Sequence, residues 1–199
     1  VTSQLFNPIL MNARGPVEAG QMGMSLSVCG TLSSMAVAWM NTKAAPFGRM
    51  ISRKEYAALD RSFFRALWQS ALAAVIGCSA VWFVVFLLAK LGIRSHGVLL
   101  ANRLLAPVPL AMLLFGTLGN IIVFAEALYL RAHKQEKFMI NSILGAVYIA
   151  PVAYLLGRWN NPHGGAWGIA AAYAVGTLVI GLGYGTFTFL RWRRIWHAA

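Results

Sequence analysis

Acidic residues are nearly absent from this chain. Glu18, Glu55, Asp60, Glu126 and Glu136 are all it has, against 17 Lys and Arg, and the net charge is +12. No two of these carboxylates share one predicted span, so hydrolase or metal-dependent transferase chemistry has few candidates to work with. The two cysteines, Cys29 and Cys78, sit in apolar runs as small side chains and imply neither a disulfide nor a metal site. A Gly-x-Ser-x-Gly elbow, a His-Glu-x-x-His pair and a phosphate loop ending in Lys-Ser/Thr are all missing. His96, His133, His163 and His197 are scattered over separate connectors and the tail. The chain is expected not to be an enzyme, and no cofactor is implied.

Charge of either sign is also scarce: 11% of residues are charged and 59% hydrophobic, where a soluble domain carries nearly a quarter charged. Formal charge is missing from residues 19–42, 66–89, 104–125 and 138–157, and 159–190 contains only a single His. About 20 apolar residues rising about 1.5 Å each cross a hydrocarbon core of about 30 Å, so each run holds one transmembrane helix. The expected fold is an all-α membrane protein. Its complete spans fall near 17–41, 66–90, 104–129, 138–157 and 166–190, and residues 1–13 are expected to be the end of a truncated sixth. No signal peptide pattern opens the chain.

What is abundant is Lys and Arg, and their distribution is lopsided. The connector 42–65, the connector 130–137 and the tail hold twelve; Arg14, Lys90, Arg94, Arg103 and Arg158 make five on the other side. Excess Lys/Arg marks the cytoplasmic face, which puts the C-terminus inside and sends the span 17–41 inward. Dispersed over two membrane faces, these charges form no contiguous strip for nucleic acid, and none is expected as a partner.

The connector 42–65 is the most charged. As a helix over 53–67 it would set Tyr56, Leu59, Phe63 and Leu67 on one face and Lys54, Arg61 and Arg65 on the other, an interfacial helix held by membrane lipids. These cations either enforce topology alone, or Arg61 and Arg65 line an entry for a phosphate-bearing lipid substrate.

Polar residues inside the spans carry more functional information. The span 17–41 has two polar series, Gln21, Ser25 and Cys29 at spacings of four, and Ser27, Thr31 and Ser34 beside them. One flank should avoid lipid. Helix packing accounts for Ser and Thr, and Gly15, Ala19 and Gly23 form a small-xxx-small row of that kind. Gln21 and Asn41 demand hydrogen-bond partners, and Gln21 is the preferred cavity residue. Asn120 lies deep in the third complete span, as an interhelical bond or a path residue. Glu126 is either an interfacial carboxylate near Arg131 or a proton carrier or ion ligand. Pro151 should kink its span by crowding the Val147 carbonyl, Pro107 and Pro109 should disturb another, Pro8 the first, and Gly176, Gly181 and Gly185 mark close packing of the last.

Residues 5–68, and within them "GPVEAGQMG" and "WMNTKAAPFG", resemble the seventh-to-eighth-helix region and following cytoplasmic loop of bacterial polysaccharide flippases. These belong to the multidrug/oligosaccharidyl-lipid/polysaccharide exporter superfamily. The resemblance implies twelve helices in two six-helix lobes with cytoplasmic termini, this chain being the C-terminal lobe and its partner the missing N-terminal lobe. It implies that a lipid-pyrophosphate-linked glycan repeat unit, of lipopolysaccharide, O-antigen or exopolysaccharide synthesis, moves between leaflets of the bacterial inner membrane by alternating access. Coupling to a proton or sodium gradient is implied too, without an ion site that transfers to a residue here. A drug exporter of the same superfamily and a membrane-embedded assembly subunit are the rival expectations.

Overall fold

A computed structural model describes residues 2–92, 94–95, 98–133 and 136–198; His96 and Lys134 lie outside them. A 3₁₀ turn, Thr2–Leu5, leads into α1 (Phe6–Ala13), followed by α2 (Pro16–Asn41), α3 (Ala44–Ser52) and α4 (Tyr56–Leu91). Two-residue strands β1 (Arg94–Ser95) and β2 (Val98–Leu99) pair antiparallel before a 3₁₀ turn, Leu100–Arg103. Then come α5 (Pro107–Ala132), α6 (Met139–Arg158), α7 (Ala166–Val175), a π-helical segment (Gly176–Tyr184) and α8 (Gly185–Ala198). Among the described residues, five helical stretches are long and apolar enough to cross a membrane: Pro16–Ser52, Tyr56–Leu91, Pro107–Ala132, Met139–Arg158 and Ala166–Trp196.

The boundaries follow local chemistry. Gly15, at φ 92°, turns the chain between α1 and α2, a conformation a Cβ would resist, and Pro16 opens α2 where a missing N–H costs nothing. Pro107 does the same for α5, after an extended Ala106. Pro107 and Pro109 therefore start a helix instead of disturbing one, because the first turn has no intrahelical N–H bonds to lose. Pro8 is likewise in the first turn of α1. Pro151 lies inside α6, which runs through it as helix to Arg158.

The charged connector is mostly helix. Residues 44–52 form α3, Lys54 makes the turn with φ 57°, and α4 then runs 36 residues without a break. The separate interfacial helix expected over 53–67 is thus the opening of one helix about 54 Å long, long and apolar enough to cross a membrane. Its faces match the expectation: Leu59 and Phe63 are buried while Arg61 and Arg65 are exposed. Charge did not end the helix because only a helix inside hydrocarbon must be apolar throughout.

α5 is the central element. Half of its apolar window is buried, against 22% for α2 and 17% each for α4 and α6. Large apolar side chains on those outer helices, among them Trp68, Ile76, Val147 and Leu155, face outward, as lipid-facing positions do. One large cluster packs Phe6, Leu10, Met22, Leu110, Leu113 and Ile169; another packs Met40, Phe47, Phe63, Tyr129 and Phe189. The second lies at the end of the bundle formed by α3, the start of α4 and α8, here termed the basic end. At the opposite end Glu18 Oε1 accepts the Ala166 N–H at the start of α7, and Arg14 donates to the Trp159 carbonyl. The approach of α6 to the π segment is close enough that a Cβ on Gly176 would lie 2.6 Å from Ile149 Cγ1.

Candidate functional site

The two polar series of α2 go to different places. Advancing about 100° per residue, Gly23, Ser27, Gly30 and Ser34 fall on one narrow stripe, and Asn41 continues it to the basic end. Ser27, Gly30, Ser34 and Asn41 are exposed, with the half-buried Val37 between Ser34 and Asn41. Ser27 Oγ donates to the Gly23 carbonyl at 2.9 Å, Thr31 Oγ1 to Ser27 O at 3.0 Å, and Ser34 Oγ to Thr31 O at 2.8 Å. Each hydroxyl is satisfied by its own helix, yet its oxygen can still accept from water or a ligand.

The other series is used for packing. Ser25 is fully buried and its Oγ accepts the Leu105 N–H at 3.0 Å, and Cys29 is buried in the first core cluster. Gln21 Nε2 donates to the Asn102 carbonyl at 2.8 Å. Gln21 thus ties the connector before α5 to α2 and is not among the residues lining the cleft beside Ser27. The flank bearing Ser27 is the one left exposed.

Facing the stripe is a cleft of about 330 Å³ between the 3₁₀ turn and α1, α2, α5 and α7. Asn7, Ser27, Ser33, Thr117, Asn120 and Tyr173 contribute its polar wall. Asn120 and Asn7 are exposed there and, among the described residues, neither side chain makes a hydrogen bond, so their amides are available to a ligand. Thr117 is buried, donating to Leu113 O at 2.8 Å. Gly116 lets Tyr173 lie flat against α5: a Cβ there would fall 2.6 Å from the ring. Tyr173 comes from α7, distant in sequence from α2, and Asn7 from the preceding short helix α1, whose approach to Gly23 only the fold shows.

Arg61 and Arg65 are brought together elsewhere. With Lys43, Ser62 and Gln69 they line a groove of about 360 Å³ where α4 leaves the basic end of α2. Asn41 is exposed near the end of α2 but lines neither hollow.

Glu126 is 4% exposed, on the side of α5 that meets α8. Arg131 is occupied by Glu136, 3.4 Å away. Thr186 Oγ1 donates to Glu126 Oε1 at 2.8 Å, whereas Oε2 is buried without a hydrogen-bond partner among the described residues. Asn141 of α6 is buried nearby: its Nδ2 donates to Gly181 O in the π segment at 3.4 Å, and its Oδ1 has no partner among the described residues. Both polar residues meet the stretch 181–186. A carboxyl with one oxygen bonded and the other open can carry a proton or contribute to a cation site.

The basic end is locked by a trio the sequence did not signal. Asp60 Oδ1 accepts from Tyr129 Oη at 2.9 Å and Oδ2 from Arg193 Nε at 3.0 Å, joining α4, α5 and α8. Comparison with protein-family models, with curated proteins and with solved structures finds no match.

Proposed function

We propose that this chain is one lobe of a transporter that moves a lipid-pyrophosphate-linked glycan repeat unit from the inner to the outer leaflet of a bacterial inner membrane. The observation that carries the reading is the exposed small and polar stripe of α2 facing the Asn7–Asn120 cleft, at depths where neighbouring helices present Trp, Ile and Val. Sugars and phosphate crossing hydrocarbon need a path that replaces their water, and backbone-satisfied hydroxyls beside free amides do that without a fixed charge that would trap the cargo. An open cleft on one face suits alternating access against a second lobe, the N-terminal one. The Lys/Arg excess orients the basic end to the cytoplasm, where a lipid-linked precursor would be loaded.

Glu126 supplies a coupling element for a proton or sodium gradient. Thr186, which donates to Glu126, lies just past the π segment, Asn141 Nδ2 donates to Gly181 O within it, and π turns recur at functional sites. The cargo and the path stand together in one experiment. Deleting the gene should make lipid-linked repeat units accumulate on the inner leaflet. The parent chain should clear them, and Asn120→Trp, which fills the cleft from an exposed position, should not. Clearance by Asn120→Trp at parental rate would remove the cleft from the path.

A further inference from the structure

We propose that the outer flank of α2 and α4 holds one anionic glycerophospholipid of the surrounding bilayer, with its phosphate on Lys43, Arg61 and Arg65 and an acyl chain in the crevice beyond them. The proposal goes beyond the transport reading and does not rest on it.

Two hollows meet on this flank. The basic groove of about 360 Å³ adjoins a second of about 400 Å³ lined by Leu32, Met35, Trp39, Ala73 and Gly77, and Gln69 lines both. The result is one groove with a cationic head and an apolar tail, the shape and polarity of an anionic lipid. The head is ready for an anion. Among the described residues the ion pairs are Arg131–Glu136 and Arg193–Asp60, so Lys43, Arg61 and Arg65 enter none. Asp60, next to Arg61 in sequence, is already engaged by Arg193 and Tyr129 on the inner side of α4. Arg61 directs its Nε to Ala57 O at 3.3 Å, which leaves its terminal nitrogens for phosphate oxygens.

The tail crevice is dry by construction. Ala36 and Ala74 are buried in its floor, and Ser70 Oγ is satisfied by Ala36 O at 3.0 Å. Trp39 bridges the two halves: Lys43 Nζ sits 4.9 Å above its ring, an amphipathic pair suited to the headgroup level.

Two geometric facts select a bilayer lipid over transported cargo. Leu32, Met35, Ala36 and Trp39 lie about 160° around α2 from the stripe of Gly23, Ser27, Gly30 and Ser34, so the groove faces away from the polar cleft. From Gln69 to Gly77 the crevice is about 12 Å deep, close to the about 15 Å of one leaflet's hydrocarbon. A lipid seated there stays in its own leaflet.

Native mass spectrometry of the full chain, released from micelles doped with phosphatidylglycerol or phosphatidylcholine of matched chains, tests this. The parent should retain phosphatidylglycerol about tenfold more tightly. Arg61→Gln with Arg65→Gln should abolish the preference. Ala73→Trp, at an exposed position that fills the crevice without touching charge, should weaken retention of phosphatidylglycerol as well. Arg49→Gln with Arg53→Gln, on a separate surface, should leave it intact. Equal retention of the two lipids by the parent would overturn the proposal, as would an equal loss in the Arg49/Arg53 variant or no effect of Ala73→Trp. A polyprenyl diphosphate that displaces phosphatidylglycerol at equal concentration would overturn it too, and would assign the groove to cargo. Each variant is compared by circular dichroism; if the double arginine variant misfolds, Lys43→Gln replaces it.

Discussion

Arg193 reaches Asp60 across 133 positions of sequence, and its Nε donates to Oδ2 at 3.0 Å. The pair is half-buried, and Arg193 also lies over the Phe64 ring with 5.1 Å to its centroid. Asp60→Ala would remove the acceptor that the Arg193 guanidinium and the Tyr129 hydroxyl share at the edge of an aromatic core. The expected cost is about 2–3 kcal/mol in detergent unfolding experiments, reduced from the fully buried case by solvent access to the arginine. Adding Arg193→Ala should recover part of the loss, so the double-mutant cycle should show coupling of about 1 kcal/mol or more. Strict additivity would mean that the link carries no stability.

Gly116 and Tyr173 make a second sharp contact. Gly116→Val should destabilise by about 1–3 kcal/mol, because its Cβ would occupy the space of the aromatic ring and force α7 away from α5. Tyr173→Ala in the same background should relieve most of that strain. The thermal midpoints of the four proteins measure it.

Aqueous access separates the α2 stripe from the lipid face. With Cys29 and Cys78 replaced by Ala, Ser27→Cys and Ser34→Cys should react with a membrane-impermeant maleimide at least about tenfold faster than Val75→Cys or Ile76→Cys, since a thiolate forms only where water reaches. Equal rates at all four positions would mean that the cleft is filled by lipid.

Glu126→Gln is nearly isosteric. Its amide oxygen can still accept from Thr186, so thermal stability should hold within about 1 kcal/mol of the parent. Transport measured with and without an imposed proton or sodium gradient should lose its gradient dependence. A Glu126→Gln protein with parental gradient dependence would end the coupling role.

Reporter fusions at residues 53 and 198 should fall in one compartment, and a fusion at residue 162 in the other. That follows from twelve Lys and Arg in the connectors 42–65 and 130–137 and the tail against five in the other connectors.

The five spans were legible because hydrocarbon excludes charge, and the charge-free runs of the sequence mark where it does so. The helical start of α4 was less so. Lys54, Asp60, Arg61 and Arg65 interrupt any apolar run, and nothing local says that the helix continues past the membrane into a charged zone. Pro107 was misread for a related reason, since a proline at the first turn and one in a helix interior look alike until the boundary is known. On α2 the periodicity separated the Gln21 flank from the Ser27 flank, but choosing between them required Asn102 and Leu105, which approach from the chain before α5. Glu126 was visible as an ionisable residue that is either interfacial or coupling; its partner Thr186 was not, because it lies 60 residues away beyond the π turns, and Asn141 belongs to another helix. Arg61 and Arg65 were paired correctly by helical spacing, and only the folded chain added Lys43 and Gln69.

The unbroken length of α4 has a mechanical consequence. Arg61 and Gly77 are about 24 Å apart on one stiff rod, so a tilt of about 10° pivoting near Gly77 would sweep the arginines sideways by about 4 Å. Such a lever converts a small rocking of the bundle into a displacement comparable to the width of a phosphate group, with no hinge required along the way.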